Sequence, residues 1–390
     1  MKLIIFSLIT LLIQPGNNIK VQSSDLRMIP DDRVCCNRLA GDDDAEDERF
    51  ILHQDVVEIS NLTKGPFIFT NAHEILTVED SVSLISSDGG KSWNAYQMFS
   101  HPGLYQVSKE RALIKTKSGV IILAFINMKE LANWNWQADI SDSPGATAPT
   151  YVVRSLDGGK SWEKPEKLHN EWTGAIRNMI QTRSGNIIFT SMMMRHNPGH
   201  HTVLTYMSRN DGESWERSNI IDLGGIGHHS GVTEGTIEQL KDGRIWLLMR
   251  TNWGSFWEAT SSNEGLLWEN IRPTSIAASS APGILKRLQS GRLMLIWNRR
   301  FPEGEDNFPM TGGDRQWSEV ATSNHRQEMS VSFSEDEGKS WSKPVVLAKV
   351  KDRKNQISYP YVFEIEPGTI WLTTMYGELR IQFKEVDFVN

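Results

Sequence analysis

Short apolar stretches separated by polar, glycine-bearing turns dominate the chain, and helical spacing of apolar residues is nearly absent. Thr150-Tyr151-Val152-Val153 and Val203-Leu204-Thr205-Tyr206 are typical strand-like runs. Five longer segments share one pattern. They run from Arg111 to Leu123 around Gly119, Arg177 to Phe189 around Gly185, Glu234 to Leu247 around Gly243, Ala281 to Leu295 around Gly291, and Tyr359 to Leu372 around Gly368. Each reads as a short strand, a glycine turn and a second apolar strand.

A second repeat interleaves with the first. Ser86-Ser-Asp88-Gly-Gly90-Lys-Ser-Trp93 recurs from Ser155 to Trp162, from Ser208 to Trp215, from Ser261 to Trp268 and from Ser334 to Trp341. The shared form is Ser-x-Asp/Asn-x-Gly-x-x-Trp, and the starts lie 69, 53, 53 and 73 residues apart. The Asp or Asn side chain can accept from backbone N–H groups of its own turn. Glycine supplies the positive φ of a tight hairpin, and tryptophan covers the turn with a large apolar face. The two repeats together make a four-stranded unit. Residues 50–390 then predict an all-β, six-bladed propeller of antiparallel blades. A β-sandwich would not place a repeated turn in register with a repeated hairpin.

Composition narrows the class. The chain has 390 residues, two cysteines and a formal net charge of −7. The apolar content excludes ordinary disorder, and the cysteine count excludes a disulfide-built scaffold. The acidic balance argues against nucleic acid as a partner. Fourteen tryptophans are many for this length, but five of them belong to the repeated turn, and Trp246 and Trp371 take matching places in the blade hairpins. The excess is therefore mostly architectural.

The first 24 residues read as an export leader. Lys2 precedes the apolar run Leu3 to Ile13, which is too short to span roughly 30 Å of hydrocarbon as a helix. A buried N-terminal helix or strand is the alternative. Removal of the leader would leave a secreted protein with no stable membrane insertion. Residues 25–49 read as an acidic linker with adjacent Cys35 and Cys36, expected as free thiols or an intermolecular link. In an exported eukaryotic chain, Asn61-Leu62-Thr63 is a glycosylation sequon.

In a propeller the innermost strands line a central channel. Arg111, Arg177, Glu234, Ala281 and Tyr359 hold equivalent positions ahead of each hairpin glycine, so they are expected to converge on one channel mouth. Polar groups there are costly to bury unpaired. The repeated box resembles the Asp-box of the sialidase (neuraminidase) superfamily, whose members are six-bladed propellers; the resemblance runs from about residue 80 to 376. It implies a substrate-carboxylate clasp of Arg111, Arg250 and Arg326, a nucleophile at Tyr359 and a partner base at Glu234. It also implies an acid/base aspartate at Asp139 or Asp142, with Asp142 preferred because a Ser-Pro-Gly turn follows it. The activity implied is exo-hydrolysis of a terminal sialic acid, or a related acidic sugar, with retention. The partner is then a sialylated or other acidic glycan.

The chemistry suits these groups. Arginine recognises a carboxylate with a bidentate, permanent charge. A neutral tyrosine avoids the repulsion that a carboxylate nucleophile would meet beside the substrate's own carboxylate. The chain departs from the family where Ala112-Leu113 replaces Ile-Pro after the first arginine and Gly235 replaces proline after Glu234. Trp134 and Trp136 could stack a sugar face or pack a long loop. His196, His200, His201, His228 and His229 lack metal-ligand spacing and could line the pocket. No glycine-rich phosphate loop, serine elbow or Cys/His pair is visible, so neither metal nor cofactor is expected. A lyase or glycosidase for another acidic glycan, or a non-catalytic glycan-binding propeller, are the competing functions.

Overall fold

A computed structural model describes residues 19–21, 49–59 and 61–389. Most of the expected leader, Cys35, Cys36 and the acidic run lie outside the described residues. Among the described residues, a two-stranded sheet pairs Met310–Gly312 with Ala321–Ser323, and six antiparallel blade sheets follow one another around a channel. Their innermost strands are Ile68–Phe69, Val107–Lys115, Met179–Gln181, Val232–Gln239, Ile284–Arg287 and Ser358–Glu366, which number the blades one to six. The expected six-bladed propeller is thus the observed fold.

The chain closes the ring with its own beginning. Val56–Glu58 is the outermost strand of blade six, pairing with Arg380–Lys384. Phe50–Leu52 adds a fifth strand to blade five. Ile19–Val21 pairs along the outer edge of blade one, at Trp93–Ala95. Among the described residues, none forms a helix long and apolar enough to cross a membrane.

Packing explains the continuous apolar runs. A strand points alternate side chains to opposite faces, and each blade is covered on both faces by its neighbours. In blade two, Ile121, Leu123 and Phe125 pack with Leu76 and Val78 of blade one. Ile122, Ala124 and Ile126 pack with Ile187 and Phe189 of blade three. Both faces are buried, so the strand is apolar throughout instead of alternating. Among the described residues, six apolar clusters fill the six seams between blades.

The boxes seal those seams. In the first, Ser92 Oγ donates to Asp88 Oδ2 at 2.6 Å, and the Lys91 and Ser92 N–H groups donate to Oδ1 at 3.0 and 2.9 Å. Desolvation works against ionisation of Asp88, but these donors outweigh it and hold the carboxyl down at about 2. The box glycine then meets the preceding blade: Gly90 faces Trp371, Gly159 Leu76, Gly212 Ile122, Gly265 Ile188 and Gly338 Trp246. A Cβ at Gly338 would stand 2.5 Å from the Trp246 ring, and φ there is +80°. Glycine is needed at this position for both conformation and close approach.

Boxes and glycine hairpins share one end of the barrel, because both are turns at the same ends of the strands. The remaining connections form the other end. They include 127–147, 195–200, 217–232, 251–255, 277–284 and the long 297–328 insertion.

Candidate active site

At that second end the inner strands of blades four and six are bent. Strand pairing slips between Thr233 and Thr236. Glu234 has φ +46° and Tyr359 has φ +63°, a left-handed conformation that is uncommon for residues other than glycine. Such positions cost on the order of 1–3 kcal/mol each and persist where the surroundings over-determine them. At Glu234 the slip is a bulge that turns the side chain out of the ladder and towards Tyr359. Gly235 permits the bend, since a Cβ there would lie 2.6 Å from Leu247 Cδ1.

The two side chains meet. Tyr359 OH donates to Glu234 Oε1 at 2.8 Å. Arg250, at the end of the neighbouring strand Ile245–Thr251, donates from one nitrogen to Glu234 Oε2 at 2.6 Å and to Tyr359 OH at 3.0 Å. Its other nitrogens donate to Ser280 Oγ, which donates to Asn252 Oδ1 at 2.6 Å. All five residues are buried. Arg326 lies 5.4 Å from the Tyr359 ring centre and donates to the Ser280 carbonyl at 2.7 Å. Arg177 sits between the rings of Tyr359 and Tyr361, at 5.2 and 4.7 Å, and donates to the Pro360 carbonyl at 2.9 Å.

Charge follows from this arrangement. Burial opposes ionisation of Glu234, but Arg250 outweighs it and keeps the carboxyl below its ordinary value. Burial, then the Glu234 charge, pushes the Tyr359 phenol above its ordinary value. The resting pair is a neutral phenol donating to a carboxylate. Arg177 Nε and Nη1 and Arg326 Nε are enclosed without hydrogen-bond partners.

The structure brings Tyr359, Glu234, Arg250, Arg326 and Arg177 together. It does not bring Arg111 to them. Arg111 donates instead to the carbonyls of Ser108, Lys109 and Gly65, the last at 3.2 Å. The side chain one position earlier, Glu110, faces the cluster. Its charge is felt by Tyr359 and Tyr376, and it in turn feels Glu234, Arg177, Arg250 and Arg326. Ala281 contributes no functional group, whereas its neighbour Ser280 joins Arg250 to Arg326. Glu110, Ser280 and Asn252 were missed by sequence reading, although each flanks a position or strand that it singled out.

Asp142 is almost fully buried. Its Oδ1 accepts from the Ser143 N–H at 2.7 Å and pairs with His196 Nδ1 at 2.8 Å, and its Oδ2 accepts from the Asn197 N–H at 3.1 Å. It ties the loop after Asn127 to the one after Arg195. Asp139 is exposed on the same loop. Trp134, 40% exposed, stacks on Trp172 at 4.2 Å. Trp136 donates to Gln316 Oε1 at 2.8 Å and meets the His228 ring edge-on. His228 and His229 share a hydrogen bond, and His229 stacks on Trp317 at 4.8 Å. Among the described residues, no group of three His, Cys, Asp or Glu could hold a metal ion.

These buried histidines make stability depend on pH. Burial pushes His169 and His201 down to about 4, and His229 well below its ordinary value. The unfolded chain takes up protons near 6.5 that the folded one refuses, so stability falls as pH drops from 6.5 towards 4. Each histidine contributes about 1.4 kcal/mol per pH unit in that window. Glu110 acts oppositely: burial, then Glu234, raise it to about 8, so it stabilises as pH falls from 8 towards 4.5. Urea midpoints should therefore peak near pH 6.5 and fall on both sides. A curve flat from pH 4.5 to 8 would contradict this.

The six blades and their repeated boxes define a BNR-repeat β-propeller. A family model, the BNR repeat-like domain, matches residues 77–372, and the chain belongs to that family. Among curated proteins no match was found. Among solved structures, the chain is similar to a Dyadobacter fermentans protein of unknown function, at 16% identity and TM-score 0.53, covering 85% of this chain and 100% of that one. It is similar to the Hadza microbial sialidase Hz136 at 17% identity and TM-score 0.57, covering 83% of this chain and 65% of that one. A Penicillium chrysogenum alpha-L-arabinanase complexed with arabinobiose matches at 11% identity and TM-score 0.51, covering 88% and 95%.

Proposed function

We propose that the protein is a retaining exo-glycosidase of sialidase type, acting on a terminal sialic acid or related acidic sugar of a glycoconjugate. The observation that carries this reading is the buried Tyr359–Glu234–Arg250 triangle, with Tyr359 OH 2.8 Å from Glu234 Oε1. A phenol is a weak nucleophile unless a base takes its proton, and Glu234 is held as the anionic acceptor. Tyr359 Oη would bond to the anomeric carbon as its proton passes to Glu234. Arg177 and Arg326, with partnerless donors, supply positive charge around that oxygen and suit a substrate carboxylate. Trp134, exposed and stacked on Trp172, suits a sugar face at the rim. The leader-like run Leu3 to Ile13 supports an extracytoplasmic setting.

The test is release of a fluorescent aglycone from sialosides and from other acidic glycosides. Turnover of a sialoside is expected, with KM raised ~10–100-fold in Arg326→Ala if about 1.5–3 kcal/mol of charge-assisted bonding is lost. Turnover restricted to another acidic glycoside moves the substrate and keeps the mechanism. No turnover on the whole panel overturns the hydrolase reading in favour of a glycan-binding propeller.

A further inference from the structure

We propose that Glu110 is the proton donor to the leaving oxygen and the base for the incoming water; this role rests on the hydrolase reading above. Glu110 lies at the irregular start of the inner strand of blade two, where pairing slips between Val107 and Arg111. Successive side chains of a strand point to opposite faces. Arg111 turns to the Gly65 carbonyl, and Glu110 turns to the charged cluster of the channel, where Glu234, Arg177, Arg250 and Arg326 act on it.

The groups facing it come from four blades: Arg177 of blade three, Glu234 and Arg250 of blade four, Arg326 of blade five, and Tyr359 and Tyr376 of blade six. Its own strand adds exposed Lys109 and, on the opposite face, Arg111. Three arginines are near, yet none forms an ion pair with Glu110 among the described residues. Arg250 is engaged by Glu234, Tyr359 and Ser280, Arg326 by the Ser280 carbonyl, and Arg177 by the Pro360 carbonyl. Glu110 Oε2 is enclosed with no hydrogen-bond partner.

A half-buried carboxyl with one oxygen enclosed and unpaired, beside a second carboxylate, is most stable with its proton. The site thus holds two carboxyl groups whose surroundings push them apart, Glu234 down and Glu110 up to about 8. That division is the one a glycosidase needs between its base and its acid. Asp142 is poorly suited to the task, since both its oxygens already accept hydrogen bonds.

The steps balance. As Tyr359 Oη bonds to the anomeric carbon, its proton goes to Glu234 Oε1. The glycosidic C–O bond breaks, its electron pair stays on the leaving oxygen, and that oxygen takes the Glu110 proton. In the second step water oxygen bonds to the anomeric carbon and gives a proton to the Glu110 carboxylate. The C–O bond to Tyr359 breaks, and the phenolate recovers its proton from Glu234.

The test compares an alkyl-linked sialoside, a sialylated lactoside, with an aryl-linked fluorogenic one across pH 5 to 9. An alkoxide leaving group needs a proton and an aryl oxide needs it far less. Glu110→Gln should lose ~10²–10⁴-fold in kcat/KM on the lactoside and markedly less on the aryl sialoside, and should lose the alkaline limb of the wild-type profile. Glu110→Asp should recover part of the loss. Glu110→Gln should also lose the fall in unfolding temperature between pH 6.5 and 8, a readout that needs no turnover. Equal losses on both substrates, or an unchanged pH profile and stability curve, overturn the role of Glu110 alone. A leaving-group-dependent loss in Asp142→Asn but not in Glu110→Gln moves the role to Asp142. Absence of wild-type turnover overturns the hydrolase reading and this role with it.

Discussion

Tyr359→Phe is expected to lower kcat by ~10⁴-fold or more on any substrate the wild type cleaves, since it deletes the nucleophilic oxygen and leaves the rest of the site in place. The loss should be confined to chemistry. The phenyl ring keeps the face that Arg177 and Arg326 approach at 5.2 and 5.4 Å. Glu234 loses one donor but keeps Arg250 at 2.6 Å. The stability cost should stay at about 1.5–3 kcal/mol, the scale of one buried hydrogen bond to a charged group. Two measurements separate the roles. Intact mass after incubation with a fluorinated sialoside should show a sialyl adduct on the wild type and none on Tyr359→Phe. Retention of kcat within tenfold, or an adduct on the variant, would remove Tyr359 from the mechanism.

Arg250→Met should be the most damaging single substitution in both stability and activity. Arg250 and Glu234 side chains are 3% and 8% exposed and 2.6 Å apart. Breaking a buried pair from one side costs about 3–5 kcal/mol, because the remaining charge is left without its partner. Ser280 loses the guanidinium as well, and with it the tie towards Asn252 and Arg326. Without Arg250, burial governs Glu234 and its carboxyl rises above the ordinary value. A raised carboxyl stabilises the fold as pH falls through its folded value. The deficit against wild type should therefore be larger at pH 8 than at pH 5. Activity should vanish on the same account, since a protonated Glu234 cannot accept the Tyr359 proton. Urea unfolding at both pH values is the check. A deficit under about 1 kcal/mol, or one independent of pH, would show that the pair is not the electrostatic keystone described here.

Much of the architecture was readable from local pattern. The box asks each residue for something it does within its own turn: Asp accepts from N–H groups up to four residues away, and glycine takes positive φ. Such demands recur in the sequence at every blade, and five copies made the hairpins legible. The glycine hairpins were legible for the same reason. Tyr359, Glu234 and Arg250 were placed by their position in the repeat and by family resemblance, and in the fold they form one hydrogen-bonded triangle.

What escaped was set by sub-residue geometry. Arg111 and Glu110 are neighbours, and whichever faces the channel depends on strand register at a slip that leaves no mark in the sequence. Repeat alignment favoured Arg111, because it matched Arg177, while the fold turns Glu110 inward. Asp142 was preferred for the Ser-Pro-Gly turn that follows it, but the loop folds back on His196 and Asn197 and uses up both its oxygens. Ser280 and Asn252 are unremarkable residues until three blades meet at Arg250.

The sequence by itself determined the number of blades, the turns that join their strands and the five boxes that seal their seams, because those follow from local hydrogen bonding, glycine turns and short apolar runs. The fold alone decided which charges face one another across the channel. That outcome depends on backbone bends at Glu234 and Tyr359 and on one-residue register at Glu110, and it joins side chains as distant in sequence as Glu234 and Tyr359, 125 residues apart, because the ring of blades brings its inner strands together.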